Sequence, residues 1–266
     1  MNKNIKKKSK IRKFNKTKNF PLITIITVVY NNVSHLQKTL NSIYKQNYKN
    51  YELIVIDGGS KDGTLNIIKK NSSKINFWIS EKDKGIYDAF NKGLKFAKGD
   101  YVGFVNSDDI LLPNALKILK NYIIKYPEKD FVFGSVKKHW GVLHGYKPWK
   151  IYFSWGFYSS HSTGFFIKLK SARKVGFYKL KYKFSSDYDY FFRMIVKKKL
   201  KGIGVSKDKI FGIFRRGGFS SSVKFLDHFK EEILIRYDNG QNKIIIFLII
   251  IYKSIRHFRK IIKEVV

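Results

Sequence analysis

Carboxylates and basic groups recur along this chain at spacings that few chemistries can use. Asn106-Ser107-Asp108-Asp109 closes the apolar run 101–105. Two adjacent carboxylates repel, and burial raises their pKa values further. A hard divalent cation resolves that conflict, because it takes carboxylate oxygens and bridges them to phosphates. The competing reading is a loop that merely starts the next helix. Asp57-Gly58-Gly59-Ser60-Lys61-Asp62-Gly63-Thr64 follows a second apolar run. Its first carboxylate can accept from the N–H of a nucleotide base, and its glycines let a backbone approach a ligand closely. Read blandly, it is a turn in which Ser60 or Asp62 caps a helix. The segment 81–93 places Glu81, Asp83 and Lys84 ahead of a helix start that favours an anion. Asp88 and Lys92 within it are four apart and form a candidate helix-surface pair. Arg215-Arg216-Gly217-Gly218 offers bidentate phosphate donors on a flexible loop. Two more groups stand apart: His161, and the stretch Asp187-Tyr188-Asp189, where Arg193 lies four residues beyond Asp189.

Elements that alternate along the chain must position these groups. Residues 22–30 are β-branched and continuous, as in a strand buried on both faces. A helix capped by Ser34 and carrying Leu36, Leu40 and Ile43 on one face should follow. Further strands are expected at 51–56, 75–79, 101–105 and 131–133. Helices are expected from about 62, over 85–97 with Gly99 closing it, from Pro113 towards Tyr126, and over 187–199. Strand and helix in this rhythm predict an α/β fold with one mostly parallel, doubly wound sheet, and ligands at its carboxyl edge. After Gly134 the rhythm weakens into an aromatic- and Gly-rich stretch, with another strand at 164–168.

The motifs in this order resemble one family. Ile25-Ile26-Thr27-Val28-Val29-Tyr30-Asn31, the Asp57–Thr64 motif, Asp83-Lys-Gly-Ile-Tyr-Asp-Ala-Phe-Asn91-Lys-Gly and Asn106-Ser-Asp108-Asp109 are similar to the family 2 glycosyltransferases of bacterial exopolysaccharide and lipopolysaccharide assembly. The resemblance implies a GT-A fold, a single Rossmann-like mixed sheet with helices on both faces, and transfer of a sugar from a nucleoside-diphosphate donor, a UDP-sugar foremost, to a glycan or lipid-linked acceptor. It implies that Val28 and Tyr30 lie beside the base and that Asp57 hydrogen-bonds it. Many members carry a second acidic residue after this Asp, where this chain has Gly58. Asp83 belongs to the nucleotide-sugar side, Asp108 to the ribose, and Asp109 to a divalent metal, Mn²⁺ or Mg²⁺. Asp187 matches the family's general base, with Ser186 where a Glu often stands. Asp189 and His161 fall on the acceptor side, and Arg215 reaches the diphosphate. Displacement by a base-activated hydroxyl implies inversion.

Composition bounds the rest. The chain has 266 residues, no cysteine, 54 Lys and Arg against 19 Asp and Glu, and a formal charge of +35. No disulfide framework or Cys-based zinc site is available. No apolar stretch follows the Lys-rich start before Phe20, so no secretory leader is expected. Such a surplus calls for an anionic partner. No nucleic-acid motif is present, so a membrane surface is favoured over nucleic acid. A basic nucleic-acid binder and an inactive nucleotide-sugar-binding relative are the alternatives. Residues 1–20 read as a disordered basic tail, 21–220 as the catalytic domain (21–136 for the donor, 137–220 for the acceptor), and 221–266 as a basic amphipathic helical extension. The apolar run 244–252 is far shorter than the ~20 residues that span a bilayer. It is followed by a basic amphipathic pattern suited to a membrane interface, to the domain, or to a second copy. The expected location is cytoplasmic, peripheral at the inner membrane face, with oligomerisation left open.

Overall fold

A computed structural model describes residues 7–8, 20–153, 162–215 and 223–265. Its frame is an eight-stranded sheet in the order β1-β4-β3-β2-β5-β10-β7-β11. The strands are β1 (Lys7–Lys8), β2 (Ile23–Val29), β3 (Tyr51–Asp57), β4 (Phe77–Ser80), β5 (Tyr101–Phe104), β7 (Phe131–Phe133), β10 (Phe165–Lys168) and β11 (Gly202–Gly204). β2, β3, β4 and β5 are mutually parallel. β10 runs antiparallel between β5 and β7, and β1 runs antiparallel along β4. The expected mostly parallel mixed sheet is therefore present.

Alternation along the central strands explains the layers. Ile26, Val28, Ile54 and Ile56 belong to one core cluster, with Phe90 and Leu94 of α3 (Ile86–Phe96) and Tyr188 and Phe191 of α6 (Ser186–Phe192). Ile23, Ile25, Leu53 and Val55 point to the other cluster. There they meet Leu36 and Leu40 of α1 (Val33–Tyr44), Ile68 of α2 (Thr64–Lys70) and Leu116 and Leu119 of α4 (Ala115–Lys125). A strand with both faces covered reads as a near-continuous apolar, β-branched run, which is how 22–29 reads, with Thr24 and Thr27 its polar members. Gly93 lets α3 settle onto β2, since a Cβ there would lie 2.5 Å from Ile26 Cγ2.

A second sheet, in the order β6-β12-β8-β9, was not foreseen. It joins β6 (Ile110–Leu111), β12 (Ile210–Ile213), β8 (Ser135–Lys138) and β9 (Gly141–Leu143). It explains one boundary error. Residues 110–111 pair with β12 and Leu112 N–H donates to Phe211 O, so α4 starts at Ala115 and not at Pro113. α1 starts behind Asn32, with Ser34 already inside it, and α3 ends at an extended Ala97 before Gly99. The helix expected over 187–199 is α6 followed by a wider π turn at Arg193–Lys197.

The C-terminal segment forms α7 (Phe225–Asp238), α8 (Lys243–Arg256) and α9 (Phe258–Val265). Asn242 Oδ1 caps α8 by accepting from Ile244 N–H at 2.8 Å. α8 is locked to α7 by a buried ion cluster. Arg236 Nη2 meets Glu232 Oε1 at 2.7 Å, and Lys253 bonds the other Glu232 oxygen. No helix among the described residues is long and apolar enough to cross a membrane.

Candidate active site

The order β4-β3-β2-β5 reverses chain direction of growth at β2, so a crevice opens between the carboxyl ends of β2 and β5. Tyr30 stands at its edge, 65% exposed. Val28 is buried in the core below, so its side chain supports the floor and does not line it. Asn32 spans the crevice, donating from Nδ2 to Ser107 Oγ at 2.9 Å. The loops after β2 and β3 are laced together: Asn31 N–H donates to Ser60 Oγ (2.8 Å), Lys61 N–H to Asn31 Oδ1 (2.9 Å), and Val33 N–H to Asp62 Oδ2 (3.0 Å).

Asp57, the expected base contact, is fully buried, and its oxygens accept from Ser60 N–H, from Ser60 Oγ and from Ser80 Oγ at 2.5 Å. This carboxylate ties the Gly58-Gly59-Ser60 turn to the end of β4. Asp83 occupies the space that Gly58 leaves. A Cβ on Gly58 would lie 2.6 Å from Asp83 Oδ2. Asp83 Oδ1 accepts from Gly85 N–H at 2.9 Å, and burial raises its pKa, with Asp88 and Asp57 adding to the shift. An acidic group from the segment after β4 thus lies against the position where residue 58 has no side chain. Asp88 pairs with Lys92 at 3.6 Å, the surface reading of that spacing.

The Asp108-Asp109 pair divides by burial. Asp109 is 1% exposed and accepts from Ser162 Oγ at 2.7 Å and Thr163 Oγ1 at 3.5 Å, while the main-chain N–H of Arg215 also reaches it. Burial first, then the adjacent Asp108, pushes its pKa up to about 7. Asp108 is half-buried and has no hydrogen bond or ion pair among the described residues. Close by in sequence, Asn106 Oδ1 is buried without a hydrogen-bond partner. An orphaned acceptor is costly, and this one awaits a donor or a cation. Among the described residues no three His, Cys, Asp or Glu side chains cluster as a protein-built metal cage. The oxygens present instead suit a hard cation that takes one or two protein ligands and completes its shell from diphosphate and water. Asp109, the expected metal ligand, is enclosed and already hydrogen-bonded, whereas Asp108 and Asn106 keep oxygens without partners among the described residues.

On the other side stands Asp187, half-buried in the first turn of α6. Its Oδ1 lies 3.1 Å from Tyr87 OH, which is equally close to Phe184 O. Tyr87 belongs to the first turn of α3, three residues beyond Lys84, so the donor-side segment and the candidate base are in direct contact. Asp189 is not on an accessible acceptor face. It is fully buried, bonded by Lys179 (3.1 Å), Arg193 (2.8 Å) and Asn239 (3.0 Å). The Arg193 contact is the helix pair that the spacing suggested. His161 and residues 216–220 of the Arg-Gly loop lie outside the described residues. Arg215 is partly buried at the end of β12.

Several contacts escaped the motif reading. Tyr87 stood in its motif without an assigned role, and Ser162 and Thr163 reach Asp109 only through folding that brings distant segments together. Thr163 has a φ of 56°, uncommon for a β-branched residue. Its strain, of about 1–3 kcal/mol, is held by its N–H donating to Phe104 O and its side chain beside Asp109. Glu231 of α7 was missed as well. Its oxygens accept from the N–H groups of Lys183 (2.6 Å), Phe184 (2.9 Å) and Ser185 (2.8 Å), directly before Asp187.

A nucleotide-type sheet, a crevice at its switch point and carboxylates on two sides of that crevice define a sugar-nucleotide class of protein. The family model described as "Glycosyl transferase family 2" matches residues 24–200, and the chain belongs to that family. An uncharacterized glycosyltransferase of Rickettsia typhi is 29% identical over 188 residues, 66% of this chain and 59% of that protein. The chain thus spans about three-fifths of the length of that curated relative. Among solved structures, Staphylococcus aureus TarS 1–349 in complex with UDP-GlcNAc superposes with a TM-score of 0.67 at 21% identity, over 89% of this chain and 72% of that one. The mannosyltransferase PcManGT from Pyrobaculum calidifontis, in complex with GDP-Man and Mn²⁺, gives 0.64 at 16% identity, over 91% and 72%. Both show the expected fold.

Proposed function

We propose that this chain is an inverting glycosyltransferase that moves a sugar from a nucleoside-diphosphate donor to a hydroxyl of a glycan acceptor in bacterial surface-polysaccharide synthesis. The observation that carries this reading is the contact of Tyr87 with Asp187, which brings the donor-side helix and a half-exposed carboxylate together. UDP-GlcNAc in the TarS structure and GDP-Man with Mn²⁺ in PcManGT support a nucleotide-sugar donor and a divalent metal.

In this scheme the base moiety rests by Tyr30, and Asp83 accepts from it. Asp108 and Asn106 hold the metal and the ribose-diphosphate end, and Arg215 adds positive charge there. A bound divalent metal supplies charge that stabilises the departing diphosphate. Asp187 takes the proton of the acceptor hydroxyl while that oxygen attacks the anomeric carbon. The bond from that carbon to the diphosphate oxygen breaks on the opposite face. Tyr87 holds the Asp187 carboxylate through a hydrogen bond, and Asp109 positions the 106–109 loop through Ser162. A lipid-linked acceptor would suit a chain this basic.

The test is a panel of nucleotide sugars, read first as thermal stabilisation with and without Mn²⁺ and then as nucleoside-diphosphate release with an acceptor. Asp108→Ala and Asp187→Asn should each abolish transfer in a folded protein. Full activity in either variant would sink its assigned role. Binding of a donor with no transfer to any acceptor would favour an inactive relative, and tight, salt-steep binding of nucleic acid without turnover would favour the nucleic-acid reading.

A further inference from the structure

The run 244–252, apolar on every side, has two different environments. Ile246, Ile249 and Lys253 are buried, and the Lys253 ammonium is directed to Glu232 of α7. That ion cluster fixes the rotation of α8 about its axis. The opposite side carries Ile244 (69% exposed), Phe247 (60%), Leu248, Ile251 and Ile255 (73%), and Phe258 at the start of α9 continues it. Steps of three, four and seven put these residues on one stripe of about 100°. Single exposed apolar residues are ordinary, whereas a contiguous stripe marks an interaction surface.

The charge beside the stripe chooses the partner. Residues 243–265 hold six Lys or Arg and one acid, Glu264. Lys253 is turned inward, but Lys243, Arg256, Arg259, Lys260 and Lys263 remain exposed. Glu264 is used internally, accepting from the N–H groups of Phe225 and Leu226 at 2.8 and 2.9 Å, so α9 is folded back on the start of α7. An apolar stripe flanked by basic groups matches the boundary between acyl chains and anionic headgroups. A second copy of the same chain would bring basic flank against basic flank. We infer that α8 and α9 dock this protein in-plane on an anionic bilayer surface, with Ile244, Phe247, Leu248, Ile251, Ile255 and Phe258 inserted into the headgroup boundary. This inference rests on the C-terminal helices and not on the reaction proposed above.

Co-sedimentation of the full chain with phosphatidylglycerol–phosphatidylcholine vesicles tests it, against pure phosphatidylcholine. Binding should be stronger on the anionic vesicles by about tenfold or more at physiological salt. The double change Phe247→Glu and Leu248→Glu should remove it, and Arg256→Gln with Arg259→Gln and Lys260→Gln should weaken it. These side chains are exposed, so circular dichroism should show the fold kept. A reporter independent of those variants is available because the chain has no cysteine. A polarity-sensitive dye on Ile255→Cys should shift to the blue on anionic vesicles, and the same dye on Lys207→Cys should not. Three results would overturn the inference: no vesicle binding and no shift at 255; binding undiminished in the Phe247/Leu248 variant, as the basic N-terminal arm alone would give; or stripe-dependent self-association without vesicle binding, which would make a second copy the occupant.

Discussion

In the proposed reaction Asp187 and Asp108 carry different roles, and they should fail differently. Asp187→Asn removes a base and leaves shape intact, so kcat should fall by about 10²–10⁴-fold with little change in donor affinity, measured by product release and by donor titration. Tyr87→Phe keeps the ring, which stacks on Tyr178, and loses the hydroxyl that lies between Asp187 Oδ1 and Phe184 O. A decrease of about tenfold in kcat is expected, of the order of one lost hydrogen bond to a charged group, with KM for donor unchanged. Gly58 offers a sharper check on the nucleotide side. Gly58→Ala must push the Asp83 carboxylate out of the space it holds, 2.6 Å from the new methyl. Because a side-chain end can move cheaply, the melting temperature should be nearly unchanged while donor Kd rises. An unchanged Kd would remove Asp83 from the base contact. At this scale the sequence was partly legible. A carboxylate at a strand end made Asp57 a candidate from the sequence. One of its serine partners lies 23 residues away on β4, and no local spacing announces that one.

Elements decide how firmly those residues are held. The central strands and α1 to α4 could be located from periodicity, because strands buried on both faces and helices with one apolar stripe have different repeats. The second sheet could not, since its strands are two to four residues long and β12 pairs with β6 and β8 across 70 or more positions. α7 belongs to the stretch read as a basic helical extension, and it packs on the segment that carries Asp187. Glu231 caps three successive N–H groups before Asp187, His228 contacts Ser185 Oγ, and Asn239 reaches Asp189. Glu231→Ala should therefore cost about 1–3 kcal/mol of stability, seen in denaturant unfolding. It should also lower kcat more than it raises KM for donor, because the slack enters at the base. Stability loss with kinetics untouched would mean that Glu231 anchors α7 and does not position Asp187.

The whole molecule then divides otherwise than its composition suggests. A boundary between 220 and 221 would cut the bonds from Glu231 to residues 183–185 and from Asp238 to Lys181 and Tyr182. It would also leave Tyr152 O without Arg236 and Gln241. A chain ending at 220 should be poorly folded and inactive, whether purified or refolded. A stable, active 21–220 fragment would restore the two-part organisation. Chelation should act at a different level: removing divalent metal should stop transfer and leave the donor-free melting temperature unchanged, as expected of an ion shared with substrate and not built into the core.

Anyone wishing to retune this protein faces an asymmetry set by α3. That one helix is seated on β2 at Gly93, begins beside Asp83 and carries Tyr87 to Asp187. Substitutions that shift it would alter sugar-nucleotide preference and turnover together, and a library built there would return mostly dead clones. The turns after β2 and β3 are laced to each other, so new donor tastes are better sought at Tyr30 and Lys61 than along α3.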